Sequence, residues 1–115
     1  MSATIKTREA GDVSIVEVTG RVTLGEATGK LRETVRELIN KGRKYIILNL
    51  AGVEYMDSAG LGELVGAYTT VTNNGGQLKL VGVGGRTLDL LQVTKLLTVF
   101  ECYDDEATAA RSFPK

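Results

Sequence analysis

The stretch MDSAGLGE, Met56 to Glu63, joins a strand-like apolar run to a helix-like one and places a serine, an aspartate and two glycines where a helix should begin. A hydroxyl at such a place can cap free backbone N–H groups, attack an electrophile, or carry a phosphoryl group. The same N–H groups favour an anion by about 0.3–1 kcal/mol. Nucleophilic chemistry lacks its usual helper, because the chain has no histidine, the commonest general base and metal ligand. MDSAG also departs from the Gly-x-Ser-x-Gly pattern of a nucleophile elbow. Capping by Asp57 or Ser58 and display of the Ser58 hydroxyl both stay open. Gly60 and Gly62 sharpen the question, since each costs a helix interior about 0.8–1 kcal/mol relative to alanine. Close backbone packing, or a low surface on which another protein can lie, would each account for them.

Other residues of chemical interest point to less. Cys102, the single cysteine, has no thiol partner and lies in the strand-like VFECY, where it is expected to pack as a structural thiol. Gly82-Val83-Gly84-Gly85-Arg86-Thr87 follows a strand and precedes a helix, as a dinucleotide loop would. However, Thr87 stands where the final glycine belongs, and no Gly-Lys-Ser/Thr of a P-loop appears. Asp104-Asp105-Glu106 reads as the acidic first turn of a helix, a solvated face rather than a metal site. No cofactor, no metal and no catalytic residue is expected.

The elements that must position these residues follow from periodicity. Ile5–Glu9 and Val13–Thr19 are rich in Ile, Val and Thr and flank Ala10-Gly11-Asp12, predicting an antiparallel hairpin. Thr23-Leu24-Gly25-Glu26 matches a capping box, so a helix is predicted from there through Ala27, Leu31, Val35, Leu38 and Ile39 to Gly42. The run Lys44 to Leu50 is apolar at successive positions, which suits a central strand covered on both faces. Leu61, Leu64, Val65, Tyr68, Val71 and Thr72 form a second helical stripe, ended by Asn73-Asn74-Gly75-Gly76. Gln77–Val81 alternates, with Leu78 and Leu80 on one face and Lys79 on the other. Leu88, Leu91 and Val93 mark a third helix, Val99–Cys102 a short strand and Asp104–Arg111 a terminal helix. Strand, helix, strand implies parallel pairs joined by right-handed crossovers, hence an α/β fold with a mixed sheet.

Length and composition set the bounds. One domain over residues 1–115 is expected, with the apolar and charged content, 43% and 24%, of an ordinary globular chain. Basic and acidic residues balance at 14 each without a basic cluster, which argues against nucleic acid. No apolar stretch reads as a membrane span, and MSATIKTREAG has no apolar core of a secretory signal, so a cytoplasmic location is expected.

GRVTLGEATGKL, KYIILNLAGVEYMDSAGLGELVGAY and NNGGQLKLVGV together resemble the STAS domain family, specifically stand-alone bacterial anti-sigma factor antagonists. The resemblance implies a single STAS domain: a mixed sheet of four to five strands with about four helices, mostly on one face. It puts Ser58 on the phosphoacceptor serine. It further implies a non-catalytic partner switch, in which the unphosphorylated form binds an anti-sigma factor serine kinase and releases a sigma factor. Phosphorylation ends that binding, and a serine phosphatase restores it. Partner contacts are then expected at Thr23, Asp57, Ser58, Ala59, Gly60, Leu61 and Gly62, in a monomer or weak dimer. Thr23 stands where many relatives carry an acidic residue, and Ala59 where many carry a second serine. A scaffold subunit of a larger signalling assembly is the alternative.

Overall fold

The computed structural model describes residues 3–114. Two strands open the chain, β1 (Thr4–Ala10) and β2 (Val13–Val22), followed by α1 (Glu26–Asn40), β3 (Tyr45–Met56), α2 (Ser58–Asn73), β4 (Gln77–Val81), α3 (Gly85–Val93), a 3-10 turn over Leu96–Thr98, β5 (Glu101–Tyr103) and α4 (Glu106–Arg111). They form a five-stranded sheet in the order β1-β2-β3-β4-β5. β1 is antiparallel to β2, and the remaining pairs are parallel. The strand order advances by one at each crossover in the same direction. Right-handed crossovers must therefore stack α1, α2 and α3 on one face. The opposite face is left to α4.

This layering explains the unbroken apolar run in β3. Ile46, Leu48 and Leu50 enter the main core with Val16, Val18, Leu31, Val35, Leu64, Val71 and Leu80. Ile47, from the same strand, joins Val13, Ile15, Val81, Ala109 and Phe113 under α4. A strand with both faces covered has no position left for a polar alternation.

Several boundaries depart from the sequence reading. β3 runs on past Leu50 to Met56 because Thr19–Val22 of β2 pair with Gly52–Met56 across two register shifts. This extension delivers the chain to Asp57. α1 starts two residues later than a Thr23–Glu26 capping box requires: its N-cap is Gly25, at φ 121°, where a side chain would be strained. Thr28 takes over the capping role, its hydroxyl accepting from the Gly25 N–H at 3.2 Å. β5 is shifted to Glu101–Tyr103, α4 starts at Glu106, and Val93 at the end of α3 is exposed rather than buried. Cys102 is likewise exposed on the short edge strand rather than packed inside. Partial burial of the thiol still pushes its pKa up, which keeps it protonated.

The back face carries two polar arrangements that periodicity alone does not reveal. Lys79 does oppose Leu78 and Leu80, yet it is 2% exposed instead of solvated. Its Nζ donates to Ser112 Oγ at 2.7 Å and lies 3.1 Å from Glu101 Oε1, with the Phe113 ring 4.7 Å away. The lysine therefore ties the end of α4 to the sheet. Glu106 is not a solvated first-turn acid either. It pairs with the Arg8 guanidinium and accepts from Asn49 Nδ2 at 2.7 Å, linking α4 to β1 and β3.

The Arg8 contact, helped by Asn49, holds the Glu106 carboxyl below its ordinary value of 4.5. A depressed carboxylate contributes stability that is fully present above the unfolded-state value and lost as pH falls through the folded-state one. Glu106→Gln is accordingly expected to cost about 1 kcal/mol at pH 7. As pH falls through the lowered folded-state value of Glu106, the variant and the parent should converge. Urea unfolding midpoints at neutral and acid pH check this; an unchanged gap between the two proteins at acid pH would refute it.

Candidate functional site

At the end of β3 the chain turns directly into α2, and two residues divide the work of that turn. Asp57 is the N-cap: its extended backbone ends the strand, and Oδ1 accepts from the Gly60 N–H at 2.8 Å. Its other oxygen, Oδ2, accepts from the Leu24 N–H at 3.2 Å, which draws the loop between β2 and α1 against the start of α2. The Gly60 donor is the main reason the Asp57 carboxyl is held below its ordinary value, with Leu24 adding to it. Asp57 is thus a fixed negative charge at neutral pH.

Because Asp57 supplies the cap, Ser58 does not. Ser58 is the first residue of α2, exposed, and its hydroxyl has no hydrogen-bond partner among the described residues. Of the two readings left open for this serine, capping is therefore taken by its neighbour. The first-turn N–H groups beside it suit an added phosphate, while the Asp57 carboxylate opposes one.

The two glycines have different reasons. A Cβ on Gly60 would lie 2.3 Å from the Val22 carbonyl oxygen and 2.8 Å from Met56 Cγ, so this glycine lets α2 pack directly on β2. A Cβ on Gly62 would meet nothing within 4 Å. Packing does not explain Gly62, and its exposed backbone lowers the surface one turn beyond Ser58.

The residues expected at a partner surface sort accordingly. Ser58 and Gly62 are exposed, Thr23, Asp57 and Ala59 are half-buried, and Gly60 and Leu61 are buried. The last two shape the site from beneath. Two features escaped sequence reading because they come from distant segments. Leu24, 80% exposed, is held beside the turn by its bond to Asp57. In addition, an open groove of about 680 Å³ runs from Ser58 to Leu90 and Val93 of α3. Exposed apolar residues, Leu24 and Val93, near a bare hydroxyl suit a protein surface better than a small-molecule pocket. Among the described residues no cluster of acidic or cysteine side chains could hold a metal ion, and no helix is long and apolar enough to cross a membrane.

The fold and site together define a small α/β module that displays one serine at a helix N-terminus. The STAS domain model matches residues 4–109, and the chain belongs to the STAS domain family. It is 27% identical over 110 residues to the anti-sigma F factor antagonist of Paenibacillus polymyxa, covering 95% of this chain and 93% of that protein. Among solved structures, a Thermotoga maritima protein described as a candidate anti-sigma factor antagonist superposes with a TM-score of 0.85 at 27% identity, covering 93% and 92% of the two chains. The phosphorylated form of SpoIIAA, a Bacillus cell fate determinant, gives a TM-score of 0.75 at 18% identity over 96% of this chain and all of that one, a likeness of fold.

Proposed function

We propose that this chain is an anti-sigma factor antagonist whose unphosphorylated form binds an anti-sigma factor serine kinase and so releases a sigma factor. Phosphorylation of Ser58 ends that binding, and a serine phosphatase reverses it. The observation that carries the reading is the division of labour at the turn: Asp57 caps α2, leaving the Ser58 hydroxyl exposed and without a partner. The names of the similar P. polymyxa and T. maritima proteins support it.

The physical basis of the switch is local. A phosphate brings about −1.5 to −2 charges at neutral pH, next to the ionised Asp57. A partner seated closely on Ser58, Gly62 and Leu24 must then accept a bulky, hydrated, doubly charged group in place of a hydroxyl. The fold itself has nothing to rearrange, since the serine side chain holds no structural bond. Release by steric and solvation conflict, rather than by refolding, is the mechanism this geometry favours.

Ser58→Ala is expected to retain an ATP-binding serine kinase from lysate of the source cells, and Ser58→Asp to lose it, with purified-component affinities differing on the order of a hundredfold. Equal retention by both baits would sink the switch and leave a constitutive scaffold.

A further inference from the structure

A second cleft, of about 230 Å³, lies between α1 and α2. Arg32 and Arg36 of α1 form one wall, and Gly62, Glu63, Gly66 and Thr70 of α2 form the other. The sequence thus puts two like charges at i and i+4 of α1, an arrangement that works against an isolated helix. Glu63 answers one of them. Its carboxylate is buried and accepts from Arg32 twice, from Nη2 at 2.7 Å and from Nε at 3.3 Å. Arg36 has no such acid: its guanidinium makes no hydrogen bond or ion pair among the described residues. By contrast Arg8, Arg32, Arg43 and Arg111 each donate to an oxygen, and Arg21 lies over the Tyr55 ring. Two guanidiniums and one carboxylate line the cleft, which leaves a single positive charge unanswered.

An exposed guanidinium is ordinarily met by water, so its position decides what else it can meet. Ser58, Gly62 and Gly66 stand at i, i+4 and i+8 of α2, all exposed, and lie along one face over about 12 Å. A Cβ on Gly62 would meet nothing within 4 Å, and one on Gly66 only Glu63 Oε2 at 3.7 Å. At these positions α2 raises no side chain between Ser58 and the arginine wall. A specific interface covers about 800 Å² on each protein, a patch about 16 Å in radius. A partner seated on Ser58 and Gly62 reaches Gly66 and that wall within such a patch.

We propose that the partner kinase presents one aspartate or glutamate to Arg36 in this cleft, and that the contact helps to choose which kinase is bound. The inference rests on the partner-switching reading and adds to it a charge requirement on the partner. Arginine suits the role, because its planar fork takes a carboxylate through two parallel N–H bonds, which lysine does not match. The Glu63 to Arg32 pair fixes the number. With one guanidinium already neutralised, a single acid from the partner balances the cleft, and a basic side chain at that place is repelled. The contact lies along α2 from the Ser58 turn, so it sets affinity and selection without being the switched element.

The test titrates the purified kinase retained by the Ser58→Ala bait against Ser58→Ala chains that also carry Arg36→Gln, Arg36→Glu or Arg36→Lys. Affinity is expected to fall about fivefold to tenfold with Arg36→Gln, at least about thirtyfold with Arg36→Glu, and least with Arg36→Lys. Raising the salt from about 50 to about 300 mM should weaken the chain with Arg36 more than the chain with Arg36→Gln. Carbodiimide coupling of the Arg36→Lys chain to the kinase should join position 36 to an acidic residue. Exchanging that acid for lysine should then restore binding to Arg36→Glu. Arg36 holds no contact within the fold, so unchanged thermal midpoints should accompany these losses. Parental affinity for Arg36→Glu, equal salt dependence with and without Arg36, or coupling of position 36 to no acidic residue would overturn the inference. A Ser58→Ala bait that retains no kinase defeats the partner-switching reading and the inference with it, whereas a retained kinase indifferent to Arg36 defeats the inference alone.

Discussion

Gly60→Ala is expected to destabilise the protein by about 2 kcal/mol, lowering the thermal midpoint by roughly 8 °C, although alanine is the better helix former. Two effects compete. In an open helix the substitution would contribute about 0.8–1 kcal/mol of stabilisation through backbone entropy and propensity. Here the added methyl would sit 2.3 Å from the Val22 carbonyl oxygen, which belongs to backbone and cannot swing aside. That same carbonyl accepts from the Asp57 N–H at 3.3 Å, so pushing α2 away from β2 also strains the turn that holds Ser58. Overpacking of this kind costs about 1–3 kcal/mol, and with a backbone obstacle the upper part of that range should prevail over the propensity gain. Thermal and urea melts of the purified variant measure it. Parental stability would mean that α2 can slide on the sheet without penalty.

Gly62→Gln should show the opposite pattern. Nothing lies within 4 Å of the position a Cβ would take, so the fold is expected to tolerate the change or gain up to about 0.5 kcal/mol from the better helix former. Partner affinity should nevertheless fall at least about tenfold, because the longer side chain stands on the surface one turn beyond Ser58. Calorimetric or interferometric affinities for the kinase retained by the Ser58→Ala bait, paired with a melt, check both halves. A Gly62→Gln variant that binds as the parent does would remove the docking explanation for this glycine and leave it unexplained. The two substitutions thus separate the structural glycine from the surface one, although the residues are only two apart on the same helix.

The reading of the alternating strands and helices was secure where the pattern depended on one element and its own period. The hairpin, the helix stripe through Leu31 and Val35, the doubly covered run Ile46–Leu48 and the helix of the β3–α2–β4 crossover could all be placed from spacing alone. Errors clustered where a residue's environment came from another part of the chain. A Thr23–Glu26 box is a valid local pattern, but Leu24 bonds to Asp57, 33 residues away, and the helix starts later. Ala51–Met56 contains Gly52 and Glu54, poor strand formers, yet its pairing with β2 makes it strand. Spacing put Lys79 on the face opposite Leu78 and Leu80, and only the packing of α4 on that face buries it.

By itself the sequence determined the class of fold, the central position of Lys44–Leu50, and Ser58 at the start of a helix, because apolar period, turn residues and motif spacing are properties of neighbouring positions. What only tertiary structure decided was which residue caps that helix, which glycine is bare, and that the exposed Ser58 hydroxyl has no partner among the described residues. Those depend on approach distances between segments remote in the chain, such as Val22 to Gly60 and Leu24 to Asp57, and a one-dimensional pattern carries no record of them.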